Sequence, residues 1–357
     1  MTDNKINVLV AEDSTVIRMF LVHLLESDPQ IHVIGAVADG QAALEFVGKK
    51  KPDVILMDIH MPRMDGFEAT RRIMETIPVP IIICSATAST EDIVISFRAM
   101  EAGAIACIEK PRGSEHGNFM EIEEHLLETI KLMSEVKVVR RTAHSQKAPL
   151  PTELRSTRAQ ISLIGIGAST GGPPVLQTIL AELPKDFSVP ILIVQHIAHG
   201  FLAGMAEWLN QTTSLQIHIA SHGTTPLPGH VYLAPDDFHM GIGINGAIVL
   251  TKEEPENHLR PSVSFLFRSL AKVCGANALG LLLTGMGKDG AEELKLMKDQ
   301  GAITIAQDQK SSVVHGMPGA AIALGAAMHV LPAGKIADAL IALVNHRKSI
   351  SRSIENA

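Results

Sequence analysis

Between residue 6 and about residue 132, short apolar runs alternate with stretches whose apolar residues recur every three or four positions. The runs are "INVLVA", "IHVIGAV", "DVILM", "PIIICSA" and "AIACIE". Between and after them lie "VIRMFLVHLLES", "GQAALEFVGKK", "FEATRRIMETI", "EDIVISFRAMEAG" and "FMEIEEHLLETIKLM". Five strands alternating with five helices predict a doubly wound parallel sheet, because a helix after each strand returns the chain to the same starting edge. The next segment, "SEVKVVRRTAHSQKAPLPTELRSTRAQ", is polar and basic, contains Pro149 and Pro151, and sustains no apolar period. It reads as a linker whose basic groups are either a solvated tether or a contact for a partner. From residue 161 the alternation resumes, with "ISLIGIGAS", "VPILIVQHI", "ALGLLLTGMG" and "AITIAQD" as strands. Within this second half, "GHVYLAPDDFHMGIGINGAIVLT" is rich in glycine and β-formers and predicts an inserted hairpin.

The expected architecture is therefore α/β, with two doubly wound parallel-sheet domains at 1–133 and 161–347, a linker at 134–160 and a tail at 348–357. A chain of 357 residues is long enough for two separate cores. The net charge of −7 disfavours nucleic acid, whose binding rests on lysine and arginine neutralising phosphates. The start has no signal-peptide pattern, and no run stays apolar long enough to span a bilayer, so membrane insertion is not expected and the reading is cytoplasmic. Cys84, Cys107 and Cys274 are odd in number and in no metal-binding spacing, which predicts buried free thiols.

Ligands of parallel sheets sit at the carboxyl ends of the strands, so the residues there carry the chemistry. In the first half these are Glu12 and Asp13 after "INVLVA", Asp58 after "DVILM", Ser85 in "CSAT" and Lys110 in "EKP". Each alone is readable as a helix cap or a loop residue. Three converging carboxylates repel unless a cation sits among them, and hard oxygen ligands suit Mg²⁺. A hydroxyl and an ammonium beside them suit an oxyanion, which together is equipment for making an aspartyl phosphate.

Those motifs, "AEDS", "MDIHMPRMDG", "SAT" and "EKP", resemble the response-regulator receiver family over residues 5 to about 132. The resemblance implies a flavodoxin-like fold, Asp58 as phosphoryl acceptor, Mg²⁺ at Glu12, Asp13 and Asp58, and Ser85 and Lys110 reading the phosphoryl group. The family often has an aromatic switch residue three places before the lysine; here that position is Cys107.

In the second half "LIGIGASTGG" raises three possibilities. A dinucleotide fingerprint fails because Thr170 stands at the third glycine position, and a Walker A loop fails because Pro173 and Pro174 stand where Lys and Ser/Thr belong. The remaining pattern is G-x-S-x-G, a strand-to-helix turn presenting Ser169. A serine nucleophile needs a base and a group to orient that base. His196 ends the next strand, and Asp289 follows "LGLLLTGMGK"; read singly, they are a structural histidine and a helix cap. The chain order Ser, His, Asp differs from the Ser, acid, His order of α/β-hydrolases.

With "VQHI", "RPSVSFLF", "LTGMGKDGA" and "SSVVHGMPGAA", this half resembles the catalytic domain of the chemotaxis protein-glutamate methylesterase family over roughly residues 161 to 345. The resemblance implies Ser169 as nucleophile, His196 as general base and Asp289 as orienting acid, with backbone N–H groups of Met286 and Thr170 as the oxyanion hole. It also implies methyl-accepting chemoreceptors as substrate, glutamine deamidation beside ester hydrolysis, no cofactor at the hydrolase site, and a histidine kinase of the pathway as phosphoryl donor. An unphosphorylated receiver covering the catalytic face is the regulation it implies. Asp236 stands where the family commonly has glycine and Ser264 where it commonly has aspartate. The rival expectations are a phospho-switched scaffold with an inactive hydrolase domain, and the same esterase serving a sensory pathway other than motility.

Overall fold

The computed structural model describes residues 5–85, 90–111, 119–136, 138 and 160–355, and the chain divides into two compact units. In the first, strands β1 (Ile6–Ala11), β2 (Ile31–Val37), β3 (Val54–Met57), β4 (Ile81–Ser85) and β5 (Ala106–Glu109) alternate with helices α1 (Thr15–Glu26), α2 (Gly40–Lys49), α3 (Gly66–Thr76), α4 (Thr90–Glu101) and α5 (Phe119–Ser134). The sheet is parallel throughout, in the order β2-β1-β3-β4-β5, which is the flavodoxin-like order. β3 and β4 are buried at every position, as strands covered by helices on both faces must be. Helices α1, α2 and α3 start at Ser14, Asp39 and Asp65, whose side chains accept the N–H groups of Ile17, Ala42 and Glu68. The chain leaves β1 for β2 on one side and later returns to β3 on the other, so a crevice opens at the carboxyl ends of β1 and β3.

The second unit holds β6 (Leu163–Ala168), α6 (Gly172–Glu182), β7 (Ile191–Gln195), α7 (Leu202–Thr212), β8 (Gln216–Ile219), β9 (His230–Leu233), β10 (His239–Ile242), β11 (Ile248–Thr251), α8 (Val263–Cys274), β12 (Ala278–Leu282), α9 (Ala291–Asp299), β13 (Ile303–Gln307), α10 (Met317–Ala323), β14 (His329–Leu331) and α11 (Ala333–Glu355). Seven strands form a parallel sheet in the order β14-β13-β12-β6-β7-β9-β8. β6 lies between β7 and β12, and this is the second reversal point.

The expected insertion is smaller than its sequence suggested. "HVYL" is β9 and joins the main sheet between β7 and β8, because Val231, Tyr232 and Leu233 are all buried there. Only β10 and β11 pair as an antiparallel hairpin, with His239 opposite Thr251 and Ile242 opposite Ile248. The C-terminal segment expected as a tail is helical through Glu355, as the last part of α11. Most of the expected linker, residues 137 and 139–159, lies outside the described residues. Cys84 is buried as expected, whereas Cys107 and Cys274 are only partly covered; all three are free. Among the described residues no helix is long and apolar enough to cross a membrane.

Helix α8 packs directly on β6, and glycine is what admits it. A Cβ on Gly167 would stand 2.3 Å from Val263 Cγ1, so any side chain there would push the start of α8 away. Phe267 and Leu270, fully buried on the same helix, join the core cluster of this unit with Leu192, Val194 and Leu282.

Candidate functional site

In the first unit, β1 delivers Glu12 and Asp13, β3 delivers Asp58, β4 ends at Ser85, and Lys110 follows β5. Carboxylate oxygens of Glu12, Asp13 and Asp58 lie within 4.8 Å of one another. Glu12 and Asp58 are buried while Asp13 is exposed, so the cluster opens to solvent on one side. The Lys110 ammonium stands 2.7 Å from Glu12 Oε2 and 3.0 Å from Asp58 Oδ1. Its backbone N–H donates to the Ser85 carbonyl at 2.9 Å, which ties the last two strand ends together. Burial raises the pKa of Glu12, and the Asp58 charge adds to the rise against the pull of Lys110. For Lys110, burial works against the charged form, but Asp58 and Glu12 outweigh it and hold the ammonium. Three hard oxygen donors carrying more negative charge than one lysine neutralises fit a divalent cation of the Mg²⁺ type.

In the second unit, three neighbouring strands present Ser169, His196 and Asp289. Ser169 follows β6 and His196 follows β7, while Asp289 lies in the loop after β12, on the other side of β6. The serine turn is fixed from several sides: Ser169 N–H donates to Thr284 O at 3.0 Å, and Ser169 O accepts from Gly172 N at 2.8 Å and Gln195 Nε2 at 2.9 Å. Gln195 Nε2 also donates to the His196 carbonyl at 2.7 Å, and His196 N–H donates to Ala168 O at 2.9 Å. One buried amide thus spaces the serine and histidine backbones. Gly285 sits against the serine, since a Cβ built there would be 2.6 Å from Ser169 Cβ. The turn carrying Met286 is therefore beside Ser169. Among the described residues, no backbone carbonyl of these turns accepts the N–H of Thr170 or of Met286.

His196 Nε2 lies 3.0 Å from Asp289 Oδ2, in an oblique approach rather than an aligned hydrogen bond. Asp289 is almost fully buried. Burial alone would raise its pKa, but His196, Ser264 and Val263 beside it outweigh that and bring it to about 2. Ser262 Oγ donates to Oδ1 at 2.9 Å, Val263 N–H to Oδ2 at 2.6 Å and Ser264 N–H to Oδ1 at 3.1 Å. Of the two departures from the resembled pattern, Ser264 thus touches Asp289 directly. Asp236 Oδ2 accepts the N–H of Gly200 at 3.0 Å and so braces the loop that follows His196.

The structure brings Glu12, Asp13, Asp58 and Lys110 together in the first unit and His196 and Asp289 together in the second, with Ser85 at the end of β4 and Ser169 just after β6. Sequence reading missed the residues that hold them: Gln195, Thr284, Ser262 and Val263. A polar residue closing an all-apolar strand was the available signal for Gln195, and "RPSVS" ahead of a helix was the signal for Ser262.

The first unit is that of a response-regulator receiver and the second that of a hydrolase, so the class is a receiver-linked α/β hydrolase. The receiver-domain family, described as "Response regulator receiver domain", matches residues 8–117, and "CheB methylesterase" matches residues 164–340. The protein-glutamate methylesterase/protein-glutamine glutaminase of Nitrosospira multiformis is 52% identical over 351 residues, covering 96% of this chain and 98% of that protein. One from Geobacter metallireducens is 51% identical, over 95% of this chain and 99% of its own. The crystal structure of the Thermotoga maritima CheB methylesterase catalytic domain is similar at a TM-score of 0.50 and 41% identity, covering 52% of this chain and 99% of that one. The chain belongs to the protein-glutamate methylesterase/protein-glutamine glutaminase family.

Proposed function

We propose that the chain is a phosphorylation-activated serine hydrolase that removes methyl groups from glutamate γ-methyl esters of chemoreceptors and deamidates receptor glutamines. The observation that carries this is the delivery of Ser169, His196 and Asp289 by the adjacent strand ends of β6, β7 and β12. Because Nε2 of His196 faces Asp289, Nδ1 is the nitrogen left for the serine. That nitrogen takes the Ser169 proton as Oγ bonds to the ester carbon, and the N–H groups of Thr170 and Met286 receive the tetrahedral oxyanion. The carbon–oxygen bond to the leaving group then breaks, and the proton held by His196 departs with methanol, or with ammonia from a glutamine. Water, deprotonated by the same nitrogen, releases the glutamate and restores the serine. No cofactor enters these steps.

In the receiver, Glu12, Asp13 and Asp58 would hold Mg²⁺, which supplies charge to screen the phosphoryl oxygens. Asp58 is the phosphoryl acceptor, and Ser85 and Lys110 bind the transferred group. A histidine kinase of the same chemotaxis-type pathway is the donor, and the protein works in the cytoplasm. The receiver occupies 1–133, the linker 134–160 and the catalytic domain 161–347. A fluorophosphonate probe followed by peptide mass mapping should place the adduct on Ser169; an adduct only on another residue contradicts the assignment.

A further inference from the structure

Ser262 stands at the N-cap of α8, where a serine hydroxyl ordinarily accepts a backbone N–H of its own helix. Here it makes no such bond and turns to Asp289 instead. Asp289, from the loop ahead of α9, fills the vacated place: its carboxylate accepts the N–H groups of Val263 and Ser264, the first two residues of α8. A carboxylate from another element thus caps this twelve-residue helix, where orphan N–H groups and the helix dipole both favour an anion. The far side is locked as well, since Ser264 Oγ accepts the N–H of Gly290 at 3.0 Å. Val263 packs closely on Gly167 of β6 and on Gly290, where an added Cβ would stand 2.3 Å and 2.4 Å from its Cγ1.

We infer that the first turn of α8 is the positioning element of the triad acid: the N–H groups of Val263 and Ser264 hold the carboxylate with Oδ2 toward His196, and Ser262, acting through its hydroxyl on Oδ1, sets how much of that charge reaches the imidazole. This rests on the triad reading given above. The groups in contact with Asp289 come from two elements, His196 after β7 and the three donors of α8, and His196 is the titratable one among them. Nearby, Lys288 is exposed, and Glu293 of α9 is paired with Arg268 of α8.

Removing the Ser262 hydroxyl while Val263 and Ser264 still hold the carboxylate leaves Asp289 more basic and a stronger partner for the imidazolium. The test is an NMR titration of the His196 ring in the full chain with isotope-labelled histidine, using His196→Gln to identify its signals. In Ser262→Ala the midpoint should rise by about half a pH unit, a fraction of one hydrogen bond, and the acid limb of kcat/KM for methanol release should move with it. Ser262→Thr, which keeps the hydroxyl, should stay at the wild-type midpoint. Ser262→Cys, a weaker donor of similar shape, should shift less in the same direction and serves where either other variant fails to fold. A folded Ser262→Ala whose His196 midpoint is unchanged or lower overturns the inference. Failure of the triad reading would look different: Ser169→Ala would keep its activity, whatever the ring titration showed.

Discussion

Adding one methyl group at Gly285 strikes the turn that carries Ser169. A Cβ there would lie 2.6 Å from Ser169 Cβ, 3.1 Å from Ser169 N and 2.4 Å from Met317 Sδ. Carbon atoms settle at about 3.5–4.0 Å, so the serine must move by roughly 1 Å. Met317 is a flexible side chain and can yield. Ser169 cannot yield freely, because its backbone is held by Thr284, Gly172 and Gln195. A displacement of about 1 Å at a reacting group costs on the order of 100-fold in rate, and overpacking costs about 1–3 kcal/mol of stability. Gly285→Ala should therefore fold, with a modestly lower Tm in circular dichroism, yet lose about two orders of magnitude in kcat for methanol release from methylated chemoreceptor. Phosphorylation of Asp58 by acetyl phosphate, measured on the same sample, should be unchanged. A folded Gly285→Ala with wild-type kcat would refute the placement of Ser169 against this turn.

Asp289 has a depressed pKa, so the stability it contributes is present above the ordinary aspartate pKa and lost as pH falls toward 2. The contribution is about 2 kcal/mol. Asp289→Asn should be less stable than wild type in urea at pH 7, with a gap that narrows as the pH is lowered below about 4; a pH-independent gap would contradict the assignment of the charge. Chelation of divalent metal by EDTA should abolish Asp58 phosphorylation by acetyl phosphate while leaving the basal methanol release of the unphosphorylated chain intact. Loss of both would mean that the hydrolase site itself needs a metal.

The parts of this fold legible in the sequence are those set by local patterning. Apolar runs marked β1, β3, β6, β7 and β12, and Glu12, Asp58, Ser169 and His196 are the residues just after the first four of them. The order of strands was not legible in this way. β12 pairs with β6 across more than a hundred residues of chain, and nothing local to "ALGLL" announces that partner. The edge strand β8 has only four residues, of which Ile217 alone is buried, and β14 has only three, too few to set a period. Polar residues that hold the site were hidden for a related reason. Ser262 and Asp289 are joined by the packing of α8 on β6, which is a property of the assembled unit, and a serine before a helix reads as an ordinary cap until its hydroxyl is seen turned elsewhere.

The central claim is that Ser169 is the nucleophile of a receptor methylesterase whose receiver is phosphorylated at Asp58. Its most direct test is methanol release from methylated chemoreceptor by Ser169→Ala in the full chain, with phosphorylation at Asp58 followed in the same sample. Hydrolysis abolished with phosphorylation intact is the expected result. Retained hydrolysis in a folded, phosphorylated variant would contradict it.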